Sequence, residues 1–232
     1  MIGTLINVVA ILIGSAIGLM LRRGMKPSLS DTVMQGLALC TLLIGIRGAL
    51  QTENLLLVIL SMVVGGVAGS LLDIGNKMDR LGAYAQRKLG GEGSGKSTFA
   101  EGFVTASLVF CVGAMAVVGS LDSGIRGDHS TLVAKSILDG VASIVFASAL
   151  GPGVMLSALP VLVYQGAISL LGNLIAPLLS QQVVLEMSAV GGLLIMGIGI
   201  NMLLHKDIQV ANLLPAIFVP FLYFPIARLL GG

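Results

Sequence analysis

Two long stretches of the chain, Leu55 to Leu72 and Val141 to Asn173, contain no charged residue. A bilayer's hydrocarbon layer is crossed by about 20 apolar residues of α-helix, because each backbone N–H and C=O must find its partner inside the segment once water is excluded. Of the 232 residues, 56% are apolar and 10% charged, with a mean hydropathy of +1.01, against about 45–50% and about 25% in soluble domains. A soluble core of this size cannot use so much apolar surface. The sequence therefore predicts an all-α fold, a polytopic transmembrane helical bundle forming a single domain over residues 1–232.

Apolar runs read against breaks give eight spans, at 2–21, 31–50, 54–73, 100–120, 131–150, 154–176, 185–204 and 210–229. The shortest separation, Gly151-Pro152-Gly153, reads either as a tight hairpin between two full spans or as a break in one irregular helix, so seven spans is the alternative count. Arg22, Arg23, Lys26, Lys77, Arg80, Arg87, Lys88, Lys96 and Lys206 fall on one side if the N-terminus is outside, and the positive-inside rule makes that side cytoplasmic. Both termini are then extracytoplasmic in a multi-pass protein of the cell membrane. Met1 to Leu21 has no basic n-region and no small-residue cleavage site, so it reads as a retained first span. The longest polar segment is 74–98; Ile74, Met78, Leu81, Ala85 and Leu89 recur there at helical spacing beside Lys77, Arg80, Arg87 and Lys88, the pattern of a basic interfacial helix before a Gly-rich linker.

Several functions are set aside. The net charge of +2 and the absence of basic runs interleaved with aromatics argue against a nucleic-acid partner. Cys40 and Cys111 lie apart inside spans and read as small core hydrophobes, and His129 and His205 lie in different loops, so no metal or other cofactor is expected. Gly90-Gly91-Glu92-Gly93-Ser94-Gly95-Lys96-Ser97 satisfies the P-loop pattern, but no buried strand precedes it and the loop is too short for a nucleotide-binding domain; it reads as a flexible linker. Asp128-His129-Ser130 reads as a polar loop and helix cap, since triad members converge in space rather than adjoin in sequence. No enzyme signature survives.

Shifting the chain on itself by 154 positions superposes Ser15 on Ser169, Gly18 on Gly172, and Ile44-Gly45-Ile46 on Ile198-Gly199-Ile200. Spans one to three then correspond to spans six to eight, which run oppositely, as an inverted-topology repeat requires. The same shift sets Gly65 and Gly66 of span three opposite Val219 and Pro220 of span eight, which also carries Pro215. Paired helix breaks in inverted halves point to a midplane binding site, although Gly and Pro are also common in membrane helices for packing and kinks.

Charges inside spans are expensive, at about 2.5–3.5 kcal/mol each at a helix centre. Lys135 and Asp139 are four residues apart in span five, on one helical face, and can pair; Ser136 and Ser143 adjoin or continue that face. They form either an ionisable cluster on an aqueous path, where Asp139 takes a proton or cation, or a structural ion pair. Arg47, near the end of span two, is a weaker pathway residue because its side chain can snorkel to the interface. Asn7, Gln165, Asn173 and Asn201 either bridge helices or line a path, and bridging is the ordinary role. Gln165 is singled out because it follows the Pro160 kink and precedes Gly166.

Gly3-Thr4 with Asn7, Phe110-Cys111-Val112-Gly113-Ala114-Met115, Asp122-Ser123-Gly124, Gly127-Asp128, Lys135-Ser136, Asp139-Gly140, Gly151-Pro152-Gly153-Val154, Ser157-Ala158-Leu159-Pro160, Gln165-Gly166 and Asn212-Leu213-Leu214-Pro215-Ala216 together carry a resemblance. The chain resembles, over essentially its whole length, the bacterial YqgA/YdfK-type membrane protein family, described as candidate transport proteins. Ala114 stands where that family pattern has proline. The resemblance implies a bacterial inner membrane and no defined substrate.

The leading expectation is a secondary transporter of a small solute or ion, with Lys135, Asp139, Gln165 and Arg47 on the pathway and helix breaks at Gly65, Gly66, Pro160, Pro215 and Pro220 lining the site. A structural or regulatory membrane protein, or a channel, is the alternative. Membrane lipid surrounds the chain, and small residues on its helix faces permit a homodimer.

Overall fold

The structure, a computed structural model, describes residues 1–24, 27–78, 80, 84, 98–204 and 206–229. The P-loop-like segment 90–97, most of the basic linker and His205 lie outside the described residues. The chain forms α1 (Ile2–Arg23), α2 (Pro27–Ala49), α3 (Leu55–Leu71), α4 (Thr98–Cys111), α5 (Ala114–Leu121), which runs into a π-helical turn Asp122–Arg126, and α6 (Ser130–Leu150). It continues through α7 (Gly153–Leu156), α8 (Ala158–Leu170), α9 (Gly172–Ile175), α10 (Gln181–Leu204), α11 (Val210–Leu213), a 3-10 turn Leu214–Phe218 and α12 (Val219–Leu229). This is a helical membrane bundle.

Among the described residues, five helices are long and apolar enough to cross a membrane, α7 and α8 counting together as one, and a sixth crossing arises if α4 and α5, bent by 58°, count as one. The helices at Leu55–Leu71 and Val210–Phe224 are apolar but shorter. The undivided span expected at 100–120 is thus broken at Val112-Gly113, where Gly113 takes φ +130°, a conformation that side-chain-bearing residues rarely adopt. Conversely, α3 runs unbroken through Gly65 and Gly66, so span three is not the interrupted helix that its glycines predicted. Gly151 at φ +85° turns the chain sharply between α6 and α7, which favours two full spans there over one irregular helix. The α7–α8 break at Ser157 lies one turn before Pro160, whose ring cannot donate to Leu156.

The helices are apolar on the outside and small or polar on the inside. On α1, Leu5, Val9, Ile13 and Ile17 are exposed at four-residue spacing, while Thr4, Asn7, Ile11 and Ser15 on the opposite face are fully buried. Lipid takes the first face, so neighbouring helices need not supply hydrophobic cover and small residues bring backbones together. A side chain at Gly14 would meet the Gly140 carbonyl and one at Gly18 the Ile144 carbonyl, so α1 packs closely along α6, both running the same way. Gly45 and Gly48 meet α10 at Met196 and Gly192, antiparallel, and Gly65 and Gly69 abut Ala216 and Asn212.

These glycine contacts sort the bundle into two groups. One contains α1 and α4 through α8; the other contains α2, α3 and α10 through α12. Few contacts cross the seam, chiefly α10 against α4 and α5 and α2 against α6. Spans one to three and spans six to eight, matched by the 154-residue shift, are therefore not segregated into separate packing units: the groups interleave the two ends of the sequence. Cys40 also departs from expectation, lying exposed on α2 rather than in the core.

Candidate functional site

Asp139 is the tenth of the 21 residues of α6, near its middle, and Lys135 lies one turn earlier. The four-residue spacing brings Lys135 Nζ to both carboxylate oxygens, at 2.8 Å from Oδ1 and 2.7 Å from Oδ2. The pair is buried, Lys135 being 7% and Asp139 5% exposed. Because the Gly14 and Gly18 contacts draw α1 against this face, Asn7 Nδ2 reaches Asp139 Oδ2 and donates to it at 2.9 Å. It also donates to Gln165 Oε1 on α8 at 3.3 Å. The Asn7 amide thus links three helices, joining the α6 carboxylate to Gln165 of α8. Ser143 and Ser136 turn their hydroxyls back onto the carbonyls of Asp139 and Leu132, both at 2.6 Å, a common way to satisfy a hydroxyl inside a membrane helix.

The network leaves polar atoms over. The carboxylate fixes which end of the Asn7 amide faces it, and Asn7 Oδ1, Gln165 Nε2 and the Thr4 hydroxyl are buried without a protein partner, as are the hydroxyls of Ser15 and Thr105. A buried unpaired polar atom costs about 1–3 kcal/mol and marks strain, a catalytic or binding role, or an unassigned water or ion.

A cavity of about 490 Å³ lies beside the network, at the seam between the two helix groups. Pro160, Val163, Tyr164 and Ala167 of α8 line it, together with Cys111 and Gly113 at the α4–α5 bend and Met187 of α10. Lys135, Asp139 and Gln165 do not line it. Helix α8 is therefore a shared wall, with Tyr164 on the cavity and the adjacent Gln165 bonded to Asn7, the residue that also bonds Asp139.

Of the residues singled out from the sequence, the structure joins Lys135, Asp139, Gln165 and Asn7, and sets Pro160 on the cavity wall. Arg47 is exposed in the last turn of α2, apart from the cluster. Gly65, Gly66, Pro215 and Pro220 do not line the cavity; Gly65 provides close contact with Ala216 instead. Asn173 is exposed, and Asn201 caps the turn after α10, bonding both the N–H and the carbonyl of Ile208 at 2.9 and 2.8 Å. Asp128 accepts from the N–H of Ser130, the first residue of α6, at 2.9 Å, and that bond keeps its carboxyl below the usual carboxylate range; the N-cap position itself is His129, whose side chain makes no capping bond. Among the described residues, no group of three His, Cys, Asp or Glu could hold a metal ion.

Sequence reading missed Glu186, the one charge within the long apolar run of α10. It is fully buried and accepts from Thr52 Oγ1 at 2.7 Å and from the backbone N–H groups of Glu53 and Asn54 at 2.8 and 3.0 Å. The carboxylate thereby neutralises the positive N-terminal end of α3 and ties the α2–α3 loop to α10. The signal lay in an isolated acid at one end of an apolar run, with Thr-Glu-Asn heading another. Glu186→Gln keeps one acceptor but loses the charge, and is expected to lower stability by about 1 kcal/mol, read as a shift of the unfolding midpoint in detergent.

A buried ion pair at mid-helix, bridged across three helices beside an intramembrane cavity, defines a multi-pass helical membrane protein with an ionisable core. The chain belongs to the family DUF554, described as proteins of unknown function, which it matches over residues 2–224. It is 32% identical to the uncharacterized membrane protein YdfK of Bacillus subtilis (strain 168), over 95% of this chain and 94% of that protein. It is 29% identical to the uncharacterized protein YqgA of Escherichia coli (strain K12), over 94% of each chain. No solved structure matches it.

Proposed function

We propose that the protein is a secondary transporter of a small solute or ion across the cytoplasmic membrane, in which the two helix groups move against one another and Asp139 is the coupling group. The observation that carries this reading is the Lys135–Asp139 pair, buried near the middle of α6 and joined by Asn7 and Gln165, with polar atoms left over around it. Intramembrane charges of this kind mark ion and proton paths. The cavity supports it further, since it occupies the seam where relative motion would open or close space, and α8 links it to the ion pair.

An eight-traverse topology with both termini extracytoplasmic is part of this reading. In its favour, α1 runs parallel to α6 and antiparallel to α8, and α2 runs antiparallel to α10, as alternating crossings require. The 154-residue inverted repeat has one reciprocal contact behind it: Gly45 meets Met196 while Gly199 meets Leu42, and the shift carries Gly45 onto Gly199 and Leu42 onto Met196. Equivalent surfaces meeting about a two-fold axis produce such swapped contacts. No nucleotide or enzymatic step is needed.

A structural or regulatory role is the second reading, favoured by the fact that both oxygens of Asp139 are already partnered and closed off from the cavity. Proteoliposomes under an imposed pH or solute gradient separate the two. Transport predicts a gradient-driven flux for some member of a panel of inorganic ions, amino acids and organic acids, lost in Asp139→Asn and weakened in Gln165→Ala. A protein that unfolds cooperatively yet moves nothing across the panel would sink the transport reading.

A further inference from the structure

The cavity's volume of about 490 Å³ falls within the range of about 300–1,000 Å³ usual for ligand sites, but its walls lack the convergent polar groups that orient a hydrophilic ligand. The hydroxyls of Ser107 and Ser188, both on the wall, are already donated to the carbonyls of Phe103 and Val184 at 2.6 and 2.7 Å. Beyond the single hydroxyl of Tyr164 and the thiol of Cys111, the remaining surface is dominated by apolar side chains such as Phe103, Val117, Val163 and Ile217. A polar solute entering this space would lose its hydration without replacement, and an apolar cavity does not hold water well. Hydrocarbon suits it.

Position and neighbouring charge narrow the choice of hydrocarbon. On the α8 side the wall extends from Pro160 to Leu171, about 16 Å at 1.5 Å per residue, comparable with one leaflet's half of a core about 30 Å thick. Val163, Leu171 and Phe218 line the cavity and are also 62%, 50% and 54% exposed, so its rim opens sideways onto the lipid-facing surface. At the basic end of the bundle the wall includes Met78, which follows exposed Lys77 and precedes exposed Arg80 by two residues. Helical turn 74–78 is fastened there by the Gly75 N–H donating to Asn212 Oδ1 at 2.7 Å. The segment 74–98 carries five basic residues against two acidic ones, Asp79 and Glu92, and the neighbouring Asp73 already accepts from Asn76 at 2.7 Å.

We propose that this cavity is a lipid site: one acyl chain of an anionic phospholipid enters between α8 and the 3-10 turn, and its phosphate is held at the basic end by Lys77 and Arg80. Apolar walls accept the chain, while paired cations at one mouth select the charge of the headgroup. Lys135, Asp139 and Gln165 do not line this cavity, so the lipid site is distinct from the ion-pair network.

The chain contains no tryptophan, so Phe103→Trp puts a single fluorophore on the cavity wall. In phosphatidylcholine nanodiscs, phosphatidylglycerol with brominated chains is titrated in parallel with phosphatidylcholine carrying the same chains. The expected result is half-maximal quenching by the anionic lipid at about one-tenth the mole fraction the zwitterionic lipid requires, with Lys77→Gln plus Arg80→Gln bringing the two curves together. A lipid-facing control, Ile137→Trp, shows no such preference. Equal quenching by both lipids, the same preference at the control position, or a preference unaffected by removing the two cations overturns the proposal. Should Phe103→Trp fail to fold, Phe218→Trp on the rim supports the same titration.

Discussion

Replacing Lys135 by methionine is expected to cost the folded protein about 3–5 kcal/mol, because it strands a buried carboxylate whose cation has been removed. Asn7 alone would then donate to Asp139, from one side. The double variant Lys135→Met/Asp139→Leu should recover most of that loss, since replacing both members of a buried pair with apolar groups of similar volume is often neutral or stabilising. Reversible unfolding in detergent, analysed as a double-mutant cycle, provides the check. If single and double variants are equally destabilised, the two side chains are not coupled as their geometry requires. The recovered double variant also separates fold from activity: it would retain the bundle and, under the transport reading, lose gradient-driven flux.

Gly14→Leu is expected to be the next most damaging change, at about 3 kcal/mol, the upper end of the usual overpacking cost. Its first new carbon would meet the Gly140 carbonyl and the Ser143 hydroxyl, and backbone cannot step aside as a flexible side chain can. Helix α1 must then move off α6, which lengthens the Asn7–Asp139 bond. Gly36 is the matched control: nothing lies within 4 Å of a carbon added there, so Gly36→Leu should leave the unfolding midpoint nearly unchanged. Equal effects at the two positions would argue against the α1–α6 seam as the constraint.

What the sequence made legible followed from local spacing. The apolar runs located the helices, and a four-residue separation sufficed to pair Lys135 with Asp139. Gln165 was recognisable from its setting after Pro160. Asn7 could be named but not given its partner, because the Asp139 carboxylate lies 132 residues away and only the closeness of α1 to α6 brings them together. Glycine was the least readable residue. Gly113 breaks a helix and takes a left-handed φ, whereas Gly65 and Gly66 sit within continuous helix; the difference lies in what packs outside, with Ala216 pressed against Gly65 and nothing within 4 Å of a carbon added to Gly113. For the same reason the helix groups interleave the ends of the chain, following small-residue seams that a one-dimensional pattern does not disclose.

The parallel seam between α1 and α6 has a consequence for biogenesis. Helix α1 carries Thr4, Asn7 and Ser15 on the face that ends up buried, and Asn7's partner is synthesised 132 residues after it. At about 5–20 residues per second, that is an interval of roughly 7–26 s during which an amphipathic helix must wait beside the insertion machinery or in lipid. Helix α1 is thus made well before it is locked in place, so assembly of the ion-pair core cannot finish until α6 and α8 have both entered the membrane.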